Sequence, residues 1–562
     1  MPAHPHHDDH DHFDLRTRPW IPVRTRDGGG ASVSLRELFL SAHQIDGLSV
    51  ALPPAASGLM RILCAMAARI TGLDTASNTT AWLDLRYDLL EAAQRFEPAA
   101  VDAYFTRHAS RLRLHDPVRP FLQDPRLADE CPSSSGVNKL VMARPAGSNQ
   151  VFFGHFTDAE QVAIPSADAA LHLITQLYYG PSGQCTPRIV SGKRFGNSFA
   201  GPLRKAMSYH PEGRSLFETL LLGIPALSTW PQPGGAGAVG GTGGAAVTDA
   251  CPWERAELPD PLAPPSGAVG PLTALTEQHQ HAILLQPGPD GESVVDATIT
   301  WAFRTSRAVS HTDAYLIWDE GKDGTLRPRE AAAERSLWRD LDALVLLKRG
   351  DGGKRPLVLD GLVGGQIPEA SLRALRMCAY GFDQDGQTRD RTYFSATTPD
   401  LFALLESSDE SVDNALALGA KEGREAAEKA AERLAYALRV AWRSYTTPFT
   451  DDKPGRKDKD AGPWPGGALA AYWPVAEERF WDSLDARDFT HAMRTFGRLA
   501  LRVYDDVTRP VAGTPRGAKA REDARGLVRS LLGRVDQLPR HPAGTAGLIG
   551  TPGASDKEKT RA

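Results

Sequence analysis

Residues 489–507 read FTHAMRTFGRLALRVYDDV. Phe489, Met493, Phe496, Ala500, Val503 and Val507 stand at offsets of 4, 7, 11, 14 and 18 residues, the spacing of one helix face. Upstream, Leu434, Leu438 and Trp442 repeat at four-residue steps. Trp473, Ala476, Phe480 and Leu484 continue at offsets of three, seven and eleven. Stripes of this kind bury against one another, so the chain from about 400 onward reads as a helical bundle whose aromatics are core residues. A polar linker, Asp451 to Gly467, separates two of the helices.

Working back from the bundle, residues 130–400 are mixed in character. Short apolar runs such as Ala282–Leu285 and Leu357–Leu359 are divided by glycine and proline. Pro231 to Pro271 is rich in Gly, Ala and Pro. It has no following Lys-Ser/Thr and no preceding buried strand, so it reads as a flexible loop and not a phosphate cradle. Leu59, Ile62, Leu63, Met66 and Ile70 predict a helix over about 57–71 with Ser57 as its N-cap. Helical stretches follow at about 80–95 and 98–112. Pro19-Trp20-Ile21-Pro22-Val23 cannot be helical, and its prolines favour an edge strand. Residues 1–14 hold five of the sixteen histidines without fixed spacing, the composition of a disordered tail; the tail after about 540 reads the same way.

A chain of 562 residues, 41% hydrophobic, is long enough for two to four domains and is not wholly disordered. Its 52 glycines and 42 prolines imply long loops. Five scattered cysteines exclude a disulfide scaffold. With 64 Lys+Arg against 69 Asp+Glu, the net charge of -5 argues against blanket coating of nucleic acid but allows a local basic patch. No run of roughly 18 apolar residues occurs, and the N-terminus lacks an apolar signal core, so the expectation is a cytoplasmic protein without a membrane partner.

Motifs that would carry catalysis are incomplete. Between Gly183 and Lys193 the Walker spacing fails at Pro187, and Gly180-Pro181-Ser182-Gly183 is not a nucleophile elbow. There is no His-Glu-x-x-His and no Cys-x-x-Cys; Cys64, Cys131, Cys185, Cys251 and Cys378 lie far apart and read as packing residues. His115-Asp116 forms a doublet of the kind found in metal-dependent phosphohydrolases, without further histidines at helical spacing.

Charge is distributed unevenly. From Ala169 to Pro211 no Asp or Glu occurs, yet Arg188, Lys193, Arg194, Arg204 and Lys205 do, among glycines and aromatics. Cations neutralise phosphates, glycine amides approach base edges and aromatics stack, so the stretch reads either as a nucleic-acid contact or as a solvated loop.

Several segments, in order, resemble the large subunit (CasA family) of the type I-E CRISPR Cascade surveillance complex. They are Pro19–Arg24, Arg119-Pro120-Phe121-Leu122-Gln123, Val137-Asn138-Lys139-Leu140, the stretch from Gly180, Gly213–Leu222 and the helix around Tyr472-Trp473. The resemblance covers about 13–540. It implies an α+β fold: a large mixed N-terminal domain over 15–399, then a C-terminal four-helix bundle over 400–540. It also implies a subunit that is not an enzyme and needs no cofactor. Such a subunit senses the protospacer-adjacent motif (PAM) in double-stranded target DNA, opens the duplex beside it and helps recruit a helicase–nuclease. Guide RNA and the other Cascade subunits are the implied partners, the small subunits lying against the bundle. Two other readings stay open: an HD-type phosphohydrolase using His115-Asp116, and a helical scaffold without nucleic-acid contact.

Residue by residue, the family's glycine loop corresponds to Gly180, Ser182 and Gly183, although the usual run of adjacent glycines is missing. Lys193 and Arg194 follow it as candidate phosphate contacts. The family's glutamine wedge follows a Gly-aromatic pair; here Gly381-Phe382 leads to Gln387, Thr388 and Arg389, with Gln384 as the rival. A loop touching the guide's 5′ end corresponds to Asn149, Gln150, Val151, Phe152 and Phe153. A groove-inserting lysine of some relatives has Arg304 as its nearest counterpart. The Cys pairs that suggest zinc in some relatives are missing, so no structural metal is expected.

Overall fold

Two consecutive prolines start the central helix of the N-terminal unit. The computed structural model describes residues 12–144, 155–157, 159–226, 249–265, 268–277, 279–305, 313–347, 349–362, 365–385, 389–405, 414–448 and 462–533, with backbone only for 384, 385 and 389–391. Pro53 and Pro54 occupy the first turn, where a missing N–H leaves nothing unpaired, and the helix Pro53–Thr71 ends at Gly72 in the left-handed region (φ 75°). The predicted stripe is buried, and so is nearly every other side chain from Pro53 to Ala68. Ser57 is therefore not the cap. It lies inside the helix, its hydroxyl 3.3 Å from Nε2 of His210. Arg61 on the same helix is fully buried and donates to both oxygens of Asp313, at 2.9 and 3.0 Å.

Among the described residues the strands are β1 Ile21–Thr25, β2 Gly30–Val33, β3 Ile45–Leu48, β4 Ile164–Pro165, β5 Gly183–Val190, β6 Lys193–Ser198, β7 Ser208–Glu212, β8 His281–Pro287, β9 Ser293–Trp301, β10 Trp318–Glu320, β11 Leu326–Pro328, β12 Arg376–Asp385 and β13 Arg389–Thr397. They make small antiparallel sheets, ordered β2-β1-β3, β4-β9-β8, β13-β12-β7, β5-β6 and β10-β11. The edge-strand expectation for β1 is corrected: it is the centre of its sheet. Pro22 is tolerated there because pairing with β3 begins at Val23, and Pro22 contributes only its carbonyl, which accepts from Ser49 N at 2.9 Å. Ala282–Leu285 lies in β8 as its apolar run suggests, whereas Leu357–Gly361 forms a 3-10 turn.

Part of the Pro231–Pro271 stretch is packed. Cys251 and Trp253 are buried, and Glu254 accepts from Arg69. The rest, up to 248, lies outside the described residues, as do residues 1–11 and the tail from 534.

The chain divides into two compact units, residues 1–421 and 422–562, within the long helix Ala415–Thr446. The second unit holds the rest of that helix together with Trp464–Asp485, Ala492–Thr508 and Pro515–Arg529. Phe496, Ala500 and Val503 are buried as their spacing requires, and Phe489 packs on Phe480 from the turn before the third helix. Tyr472 donates to Ala427 O at 2.9 Å, and Tyr504 to Arg521 O at 2.7 Å. Trp442 meets Trp464 edge-on at 4.9 Å, and Arg516 lies over the Tyr445 ring. Hydrogen bonds from Arg525 and Arg521 hold the Asp505 carboxyl below its ordinary range despite partial burial.

Candidate nucleic-acid interface

The glycine loop begins where the helix Ser166–Tyr179 ends. Gly180 N closes the last turn on Gln176 O, and Gly201 N returns to Gly180 O at 2.9 Å. Both positions admit only glycine. A Cβ on Gly180 would stand 2.5 Å from Gln176 O and one on Gly201 2.5 Å from Tyr178 O. His281 fixes the loop from behind, its Nε2 lying 3.0 Å from Pro181 O. Burial pushes this imidazole down to about 4, outweighing the Pro181 carbonyl, so at neutral pH it is uncharged. A carbonyl only accepts, so Nε2 carries the proton.

From this loop β5 and β6 leave as a hairpin. Gly183 pairs with Ser198 at the base and Val190 with Lys193 at the far end, joined by Ser191 and Gly192 with φ of 50° and 74°. Lys193 and Arg194 are exposed just beyond that turn. On β6 five residue steps separate Lys193 from Ser198, the partner of Gly183, about 16 Å at 3.3 Å per residue; the two further residues of β5 are taken up by the irregularity between Gln184 and Arg188. Arg304 braces the same hairpin, its guanidinium 4.2 Å from the Phe195 ring and donating to Asn197 O at 3.0 Å.

The uniform basic stretch is corrected by the structure. Arg188 is fully buried and bonded to Asp124 at 2.8 Å and Glu130 at 2.5 Å. Burial opposes ionisation of Asp124, but Arg126 and Arg188 outweigh it and hold the carboxyl low. Arg204 is 8% exposed and donates to Tyr179 O at 2.9 Å. Lys205 is half exposed, 4.0 Å from Glu330. The open cations of the stretch are thus Lys193 and Arg194.

The second hairpin, β12–β13, is paired with β7 as far as Tyr380↔Ser208. It continues five residues further with β13 alone, about 16 Å at 3.3 Å per residue. The last pair is Asp385↔Arg389, so Gln384 and Arg389 lie on facing strands beside the tip. Gln387 and Thr388 lie outside the described residues, as do Asn149, Gln150, Val151, Phe152 and Phe153.

The two hairpins share a root. Phe382 packs on Tyr179 with ring centroids 5.6 Å apart, and Arg204 covers Phe382 at 4.8 Å while holding the Tyr179 carbonyl. Tyr179 immediately precedes Gly180, so one buried cluster ties the glycine loop to the base of the β12–β13 hairpin. The sequence reading missed this cluster; its trace was the aromatic before Gly180 and the aromatic after Gly381.

The His115-Asp116 doublet has other duties. His115 Nε2 lies 2.8 Å from Ser166 Oγ, burial pushes the ring down to about 4, and Asp116 caps the backbone N–H groups of Val118 and Arg119. Among the described residues no group of three or more His, Cys, Asp and Glu side chains is arranged to hold a metal ion. Nor is any described helix long and apolar enough to cross a membrane.

Comparison with known proteins agrees with this architecture. The family model for CRISPR-associated protein Cse1 matches residues 14–503. A chain of a CRISPR RNA-guided surveillance complex is 40% identical with a TM-score of 0.80, over 92% of this chain and 99% of that one. A chain of such a complex in a pre-nicking state is 39% identical with a TM-score of 0.70, over 92% and 98%. Cse1 from Acidimicrobium ferrooxidans, 24% identical over 93% and 98%, shares the fold with a TM-score of 0.70. No curated protein matches. This chain belongs to the Cse1 family of CRISPR-associated proteins, the large-subunit family that its segments resemble.

Proposed function

We infer that the chain is the non-catalytic large subunit of an RNA-guided DNA-surveillance complex, and that it reads the PAM and opens the duplex beside it. The Tyr179–Arg204–Phe382 cluster carries this reading, because it joins a glycine loop suited to close approach with a projecting hairpin suited to insertion. Guide pairing supplies most of the sequence recognition in such complexes, so the protein needs only short-range readout. The minor groove offers little beyond A·T against G·C, which Gly180, Ser182 and Gly183 suit. Unstacking costs a few kcal/mol per step, and the β12–β13 tip with Gln387, or Gln384 beside it, Thr388 and Arg389 would offset that through new contacts. Lys193, Arg194 and Arg304 would neutralise flanking phosphates.

The four C-terminal helices close on themselves through Tyr472–Ala427, Phe480–Phe489, Tyr504–Arg521 and Arg516–Tyr445, which supports a four-helix bundle docking the small subunits. The Asn149–Phe153 loop would meet the guide's 5′ end, and the assembled complex would recruit the helicase–nuclease. The test is to co-purify the chain with the other subunits and guide RNA and follow a 2-aminopurine placed beside the PAM. Fluorescence rises on target binding if the subunit opens the duplex; binding without a rise refutes the wedge.

A further inference from the structure

Arg119, Pro120, Leu122 and Gln123 line a cavity that the reading above leaves unused. The cavity measures about 110 Å³ and lies behind the glycine loop, since His281, which donates to Pro181 O, forms part of its wall. Its floor is apolar: Leu122, Leu177, Trp253, Ile283 and Phe303. A dry cavity of about 150 Å³ holds one benzene ring. This one is smaller but opens to the surface beside the exposed Glu257 and Pro259, so a single six-membered ring can enter with one edge left in the mouth, whereas a fused pair overfills it.

Leu122 adopts φ 56°, a left-handed conformation that residues other than glycine seldom take. Gln123 holds it there, Nε2 donating to Leu114 O at 2.7 Å and Oε1 accepting from Leu285 N at 2.8 Å. Strain fixed by buried hydrogen bonds concentrates at ligand sites.

The rim is cationic. Arg111, Arg119, Arg126 and Arg255 line it, and Arg188 lies behind Asp124. Asp124 pairs with Arg126, and Glu277 with Arg255. Arg119 reaches only backbone carbonyls, of Arg255, Ala256 and Glu257. Burial, then the charges of Arg111 and Arg126, lower its proton affinity. Among the lining residues four arginines thus face Asp124, Glu257 and Glu277, leaving one positive charge to match one phosphodiester.

We propose that this cavity takes one unstacked pyrimidine nucleotide of a DNA strand, its ring on the apolar floor and its phosphate on Arg111 and Arg119. The DNA source rests on the duplex-opening reading above, because the strand is released beside the loop that shares the cavity wall.

The experiment titrates the full chain with dCMP, dAMP, CMP and inorganic phosphate by ligand-observed NMR. The expected result is dCMP binding at least tenfold tighter than dAMP or phosphate. Arg111→Ala weakens dCMP about tenfold, and Leu258→Trp, which fills the mouth, abolishes its binding, both with unchanged thermal unfolding. Equal binding of dCMP and dAMP, equal binding of phosphate, or tighter binding of CMP than dCMP overturns the proposal. The wild-type complex is assayed for duplex opening in parallel. Opening without dCMP binding removes the cavity proposal alone; dCMP binding in a complex that opens no duplex supports the cavity and removes the functional reading.

Discussion

Lys193→Ala combined with Arg194→Ala tests the reach of the β5–β6 hairpin. Both side chains are exposed at its far end, so their removal leaves the fold intact. If each neutralises one phosphate, the slope of log affinity against log salt falls by about 1.8. Between 50 and 200 mM salt the wild type then loses about twelvefold more affinity than the variant. The geometry adds a length requirement. The cations stand about 16 Å from Gly183 along the hairpin, which at about 3.4 Å per base pair is about five pairs of duplex. With the hairpin lying along the axis, trimming the PAM-side flank below about five pairs should make the wild type behave like the variant. The assay is fluorescence anisotropy of the assembled complex on targets with flanks of increasing length. An unchanged slope, or a deficit independent of flank length, would falsify the placement of these cations on DNA.

Gln387→Ala should reduce target opening several-fold while guide loading in the same complex stays at the wild-type level; equal loss of both, seen by 2-aminopurine fluorescence and by guide RNA recovered, removes Gln387 from the wedge. Asp313→Ala leaves the fully buried Arg61 without its carboxylate and should cost about 3–5 kcal/mol in urea unfolding. A loss below about 1 kcal/mol contradicts that pairing. Burial pushes His115, His172 and His281 down to about 4, against about 6.5 unfolded. Between these values the unfolded chain binds protons that the folded chain refuses. Stability therefore falls as pH drops from about 6.5 towards 4; these three together with His210, which burial also pushes well below its ordinary value, give at most about 5 kcal/mol per pH unit. His281→Gln should lower that slope by about a quarter, measured by urea unfolding at several pH values.

Helical periodicity made the C-terminal helices legible, because every turn repeats the same demand for burial: Phe496, Ala500 and Val503 lie where their spacing puts them. Other features were hidden by partners distant in sequence. Arg188 counted as a solvent cation until Asp124 and Glu130, 64 and 58 residues away, supplied its ion pairs. No window of local charge contains them. Ser57 had the chemistry of a cap, but Pro53 and Pro54 start the helix earlier and leave the serine to His210. The prolines around Trp20 pointed to an edge strand, but the strand is central: β3 pairs only from Val23 onward and spares Pro22, a pairing that no local reading shows. Of the candidate interface, the order of the glycine loop and the second hairpin was readable, and their common root was not. It depends on Phe382 and Tyr179 meeting across 203 positions of chain.

That meeting constrains how the subunit can diverge. A homologue that shrinks position 382 opens a hole beneath residue 179 unless a bulkier neighbour appears there or in place of Arg204. Drift at these three sites should accordingly be correlated across the family, so that the outer loop positions vary freely while the trio evolves as a single inherited part.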